Sequence, residues 1–257
     1  MRNAKRRVQN ESAFFILHCA LIKGYIFTAF KQKEKFMAVT KSRRALVAII
    51  NVQDHAPRNV RWLYRFIDAS GAIASDLLAI NYGKYEKLYG KNATGKRFLD
   101  VLENLGKDDS IRAVDVLVMI HGLDKKLIFA DAGFDTAELS AEIRKLNLSN
   151  KLRLLYSTAC YGLSHAGDFV NAGFSAAVGA KKVNANAAAE VPVLFTMWAG
   201  GSRLREAVAK GESPTTRLPS DKAAGWFGKM NKTSWRDDVD SDKVIIGNDS
   251  ITIKSDA

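Results

Sequence analysis

Two cysteines, Cys19 and Cys160, are too few to build a disulfide framework, so nothing in the chain marks an oxidising compartment. Long apolar runs are scarce too. The hydrophobic stretch at residues 13–22 is ended by Lys23 and falls well short of the roughly 18 uncharged residues that a membrane span wants. A Gly-rich phosphate loop is missing: Gly200-Gly201-Ser202 lies inside a helix-like stretch, with no Lys in the right place. Histidines number four, and His165, five residues after Cys160, has no closely spaced partners of the kind a zinc site uses. No metal and no cofactor are therefore expected. Internal repeats and low-complexity tracts are absent.

What is abundant is positive charge, +12 over 257 residues. Its placement argues against nucleic acid as the partner. Residues 1–44 hold 11 Lys/Arg against 2 Asp/Glu, whereas residues 45–257 hold 28 against 25. The excess belongs to a basic tail, and the rest of the chain is nearly balanced.

That tail combines Arg2, Lys5, Arg6 and Arg7 with the apolar stretch, the outline of a signal peptide's first two regions. No small-x-small cleavage site follows clearly. Residues 1–36 read as an extension dispensable for the fold, with Met37 a candidate start, ahead of an export signal and of a membrane anchor. A cytoplasmic location is thereby favoured over an exported one.

Residues 37–257 read as one α/β domain, large enough to bury its own core. The run Ala-Leu-Val-Ala-Ile-Ile at 45–50 is a good buried strand. Val60, Leu63, Tyr64 and Ile67 recur at helical spacing, residues 71–81 fit a helix or a short strand, and residues 85–89 suggest a weak strand. Phe98, Leu99, Leu102 and Leu105 define an amphipathic helix, capped by Asn92 or Thr94. Residues 126–134 read as a hairpin-like excursion, and Asp135 opens a helix carrying Leu139, Ile143 and Leu146. Pro192 fits a helix's first turn, residues 212–243 read as turn-rich, and residues 244–246 and 251–253 as a closing β-hairpin around Gly247-Asn248-Asp249. Strands alternating with helices predict a three-layer α/β/α sandwich with a mostly parallel central sheet.

Two strands end on chemistry. Residues 114–120 (Val-Asp-Val-Leu-Val-Met-Ile) run into His121-Gly122, and residues 152–156 (Leu-Arg-Leu-Leu-Tyr) run through Ser157, Thr158 and Ala159 into Cys160. Ligands of open α/β sheets bind beyond the carboxyl ends of the strands. If these two strands are parallel neighbours, His121 and Cys160 leave the same edge. A Cys and a His distant in sequence but adjacent in space suit a thiol nucleophile and its base.

A hydrophobic strand ending in His-Gly, followed by one ending in Ala-Cys, resembles the caspase-like cysteine peptidases: caspases, metacaspases, legumain, gingipains and CHAT-domain proteins. Gly162, the helix-like segment that follows it, and the strand at 174–179 are similar to the CHAT-like branch. The resemblance spans roughly residues 44–210. It implies a caspase-like fold, a His121–Cys160 catalytic dyad, an oxyanion hole made by the backbone N–H groups of Gly122 and Cys160, and a polypeptide substrate. The loop leaving the first strand, residues 51–59, would then offer Asp54 and Arg58 for substrate binding, with Asp54 favouring a basic residue before the scissile bond. The expected function is that of a cysteine endopeptidase. The alternatives are a catalytically inactive interaction module on the same scaffold and a flavodoxin-like small-molecule-binding domain.

Overall fold

The computed structural model describes residues 38–56, 61–230 and 233–257. The N-terminal extension, Cys19 and Arg58 lie outside the described residues.

Six strands make the main path of the sheet, in the order β2-β1-β3-β6-β7-β8. They are β1 (Arg44–Asn51), β2 (Lys84–Tyr89), β3 (Ala113–Leu123), β6 (Leu152–Ser157), β7 (Ala176–Ala180) and β8 (Lys243–Gly247). All neighbours are parallel except β7 and β8. The short strands β4 (Lys126–Ile128) and β5 (Gly133–Asp135) form a hairpin on the extended end of β3. Strands β1 and β6 are buried at every position, as their unbroken apolar runs require of strands covered on both faces.

Helices α1 (Arg61–Ala79), α2 (Gly95–Lys107), α3 (Thr136–Lys145), α4 (Gly162–Ala172), α5 (Ala187–Ala199), α6 (Leu204–Gly211) and α7 (Pro214–Met230) complete the described chain. Side-chain alternation along the strands divides the core in two. Val47, Ile49, Val116 and Val118 face α2, α3 and α4 through Phe98, Leu102, Leu139, Ile143 and Phe169. Leu46, Ile50, Leu117, Met119, Leu154 and Tyr156 face α1, α5 and α6 through Leu78, Leu194, Trp198 and Leu204. The layered α/β/α arrangement with its mostly parallel sheet is as expected.

Local chemistry explains the helix boundaries. Thr94 caps α2 by accepting the Arg97 N–H at 3.2 Å. Asp135 caps α3, accepting from Ala137 and Glu138 at 2.9 and 3.2 Å. Helix α1 presents Asp68, Gly71, Ser75 and Leu78 to the sheet and leaves Trp62, Phe66, Ile73 and Leu77 exposed. Gly71 permits this close approach, because a Cβ there would meet the Met119 sulfur at 2.4 Å.

Three local expectations need correction. The closing hairpin does not form. Strand β8 pairs with β7, and Gly247, at φ +92°, turns the chain away from the sheet. Residues 251–253 are not a strand: Ile251 gives its carbonyl to Leu204 at the start of α6, and Ile253 packs into the core. The turn-rich stretch contains α7, a helix of 17 residues with Pro219 inside it. Pro192 lies within α5, which starts five residues earlier at Ala187.

One buried ion pair ties the sheet to the carboxyl-terminal segment. The Arg153 guanidinium donates to both Asp115 oxygens, at 2.9 and 2.7 Å. It also donates to the carbonyls of Ile253 and Ser255. Tyr82 and Trp198 donate to the same Asp115 carboxylate. Both charges are removed from water, so the fork geometry and the added donors are what make the burial tolerable.

Candidate active site at the carboxyl edge of the sheet

Strands β3 and β6 are parallel neighbours, with Val118 opposite Ser157. The Thr158 N–H continues the ladder to the Val118 carbonyl at 2.9 Å. His121 stands three residues past Val118 and Cys160 three past Ser157, so both emerge on the same edge. The backbones are in contact there. A Cβ placed on Gly122 would lie 2.3 Å from the Cys160 carbonyl oxygen and 2.9 Å from the Ala159 Cβ. Only glycine at 122 lets the two strand ends approach so closely.

The His121 ring is half-buried. Its Nε2 lies 2.8 Å from the Val52 carbonyl oxygen. A carbonyl can only accept, so Nε2 carries the proton and the neutral ring keeps Nδ1 as its acceptor. Tyr64 of α1 packs on the ring, with centroids 5.4 Å apart, and His55 stands edge-on at 6.3 Å. Burial holds the imidazole pKa below its ordinary value, and the Val52 hydrogen bond works against that shift.

Cys160 is a free thiol at intermediate exposure. Burial pushes its pKa up, opposed by the Asn184 backbone N–H, the Lys243 ammonium and its own N–H. The chain then turns sharply into α4 through Tyr161, a non-glycine residue at φ +57°. Tyr161 is tied down twice: its N–H donates to the Lys182 carbonyl at 2.7 Å and its hydroxyl to Asp238. That tether holds the strained turn beside the thiol.

Gly122 is in the extended end of β3, in register with Leu127 of β4. Asp54 is exposed, and its charge acts on Asp68 and Tyr89. His165 is fully buried and links elements: its Nε2 lies 2.7 Å from the Leu123 carbonyl oxygen. Among the described residues no group of three or more His, Cys, Asp or Glu could hold a metal ion, and no helix is long and apolar enough to cross a membrane.

Three neighbours escaped the sequence reading. The Val52 carbonyl and the Asn184 N–H are backbone groups, which every residue carries, so no side-chain pattern announces them. Asn184 also donates from Nδ2 to the Thr158 carbonyl at 2.9 Å, clasping the end of β6. The third is a buried polar cluster. Lys243 meets Glu190 at 2.9 Å with both side chains fully buried, Asn184 reaches the same Glu190 oxygen at 3.5 Å, and Asn186 donates to Glu212 at 3.3 Å.

No family model matches this chain, and no curated protein does either. Solved structures do. The Drosophila initiator caspase Dronc superposes with a TM-score of 0.50 at 12% identity, over 85% of this chain and 86% of that one. Caspase-1 from Spodoptera frugiperda gives 0.51 at 10% identity, over 86% and 92%. The chain has the caspase-like fold. At these identities the likeness is one of backbone architecture. What a caspase-like sheet edge does in this chain rests on the residues it carries there.

Proposed function

We propose that the protein is a cysteine endopeptidase using His121 and Cys160. The observation that carries this reading is the ring's tautomer at the shared strand edge: the Nε2 proton is committed to Val52, leaving Nδ1 as the base. With the thiol pKa raised and the imidazole pKa lowered, the resting pair is neutral. Catalysis then starts with a substrate carbonyl in the cleft. The Cys160 thiol proton passes to His121 as sulfur bonds to the carbonyl carbon. The backbone N–H groups of Gly122 and Cys160 stabilise the oxyanion, each worth about 3 kcal/mol in such a role. The imidazolium returns its proton to the departing amine, and water, deprotonated by His121, cleaves the thioester to release acid and thiol. The substrate is a polypeptide, and Asp54 reads the residue before the cut.

The test is labelling by an electrophilic peptide at neutral pH. Cys160 is expected to be modified, His121→Ala to slow the reaction strongly, and Cys160→Ala to abolish both labelling and peptide cleavage. Cleavage that survives Cys160→Ala removes the proposal. A second reading, an inactive interaction module, draws on one observation: burial favours the protonated, unreactive thiol. Labelling no faster than that of a free cysteine would select it.

A further inference from the structure

Helix α1 reaches this edge without lying on it. Asp68 is fully buried on the helix face turned to the sheet. An ionised carboxylate there needs partners, since an unpaired buried charge costs several kcal/mol. It has two, both backbone. Oδ1 accepts the Val52 N–H at 2.9 Å and Oδ2 the Gln53 N–H at 3.1 Å.

The second bond reaches His121. The Gln53 N–H and the Val52 carbonyl belong to one peptide unit, and no cis peptide bond occurs in the described chain. In a trans unit the two groups point in opposite directions. One side of this unit therefore faces the Asp68 carboxylate, and the other accepts the His121 Nε2–H at 2.8 Å. We propose that Asp68 is a positioning residue for His121, acting through the single peptide unit between Val52 and Gln53.

Two physical effects follow. Residues 52–56 lack regular secondary structure, so nothing in a ladder fixes how the Val52 carbonyl is aimed. The carboxylate fixes it by holding both flanking N–H groups. Hydrogen bonds in series also polarise one another. A negative charge behind the N–H makes the carbonyl a stronger acceptor, which favours the Nε2–H tautomer and stabilises the imidazolium that forms during proton transfer. A carboxylate bonded directly to a catalytic imidazole does this with a large effect. Here a peptide group is interposed.

The inference rests on the peptidase reading for its kinetic consequence only; the tautomer is a property of the folded protein. Asp68→Asn keeps the shape, removes the charge and turns an NH2 group towards one of the two N–H donors. Side-chain 15N NMR of His121 is expected to show one Nε2–H tautomer in the native protein and a mixture in Asp68→Asn. In peptide hydrolysis, kcat is expected to fall roughly tenfold, well short of the ~10⁴-fold for loss of a directly bonded carboxylate, with KM within about twofold. Asp68→Glu, which keeps the charge, should restore most of the tautomer. A variant Asp68→Asn that folds and keeps both the single tautomer and native kcat overturns the inference. If native protein hydrolyses nothing, the peptidase reading fails while the tautomer still decides this one. Should Asp68→Asn not fold, amide exchange in native protein decides: Val52 and Gln53 N–H are expected to be protected as core amides are, and exchange at exposed-loop rates would overturn it.

Discussion

Replacing Glu212 with Gln should make the protein more stable, and by an amount that grows with pH. Glu212 sits beside Glu190 in the buried cluster behind the strand edge. Burial, then the hydrogen bond and charge of Glu190, push its pKa up to about 9. In the unfolded chain a glutamate titrates near 4.3. Between those values the folded state holds a proton that the unfolded state has released. Stability must therefore fall as pH rises across this window, by about 1.4 kcal/mol per pH unit for one group. From pH 5.5 to 8.5 that amounts to about 4 kcal/mol, an upper figure because Arg217, 3.8 Å away, favours the ionised form. Gln is the isostere of the protonated acid. Its NH2 can donate to Glu190, and its carbonyl can accept from Asn186 as Glu212 does now. Urea unfolding followed by tryptophan fluorescence at several pH values reads the difference. The two proteins should match near pH 4, below the unfolded pKa, and diverge steadily to pH 8.5, the variant being the more stable. Titrations shared by both proteins cancel in that difference. Parallel curves would refute the assignment of a protonated Glu212.

Arg153→Met should cost about 3–5 kcal/mol, since it strands the Asp115 charge among apolar side chains, and a double variant with Asp115→Leu should recover more than half of that in thermal unfolding. Alkylation of Cys160 by iodoacetamide should rise with pH to a midpoint above that of an ordinary thiol, because burial favours the protonated sulfur; a midpoint below neutral would mean a thiolate–imidazolium pair at rest. Across a peptide library, cleavage should prefer Arg or Lys before the scissile bond and lose that preference in Asp54→Ala. A preference for Asp or Glu, or indifference to the substitution, removes Asp54 from the pocket.

The strands that carry the site were the most legible part of the chain. Buried parallel strands read as uninterrupted apolar runs, and a polar residue ending such a run has one place to go. That logic led to His121 and Cys160. Residues 71–81 are ambiguous in sequence because Ile73, Leu77 and Ile80 fit a helix while residues 77–80 also suit a short strand; the helix runs to Ala79 and leaves all three of those side chains exposed. Asp68 did leave a trace: it falls on one helical face with Tyr64, Gly71 and Ser75, and an acid on a buried face implies a partner. Helix α7 left none. Two prolines and a side-chain pattern with little period hide it, and Gly228 is its one buried residue. The expected closing hairpin, which does not form, shows a different limit, since short apolar triplets around a turn suit a strand or a packed loop equally well.

The order of the sheet also has a kinetic consequence. His121 and Cys160 belong to neighbouring strands, but the chain between them makes the β4–β5 hairpin and α3 before it returns. A parallel crossover closes only after its whole excursion has been ordered, and such non-local pairing is slow beside helix or hairpin formation. In a chain leaving the ribosome, the imidazole therefore waits for the thiol. Cys160 in turn gains its Asn184 neighbour only once β7 has been added beyond it. A partly made chain thus carries both residues without the juxtaposition, and the edge that holds His121 beside Cys160 arrives only with the finished sheet.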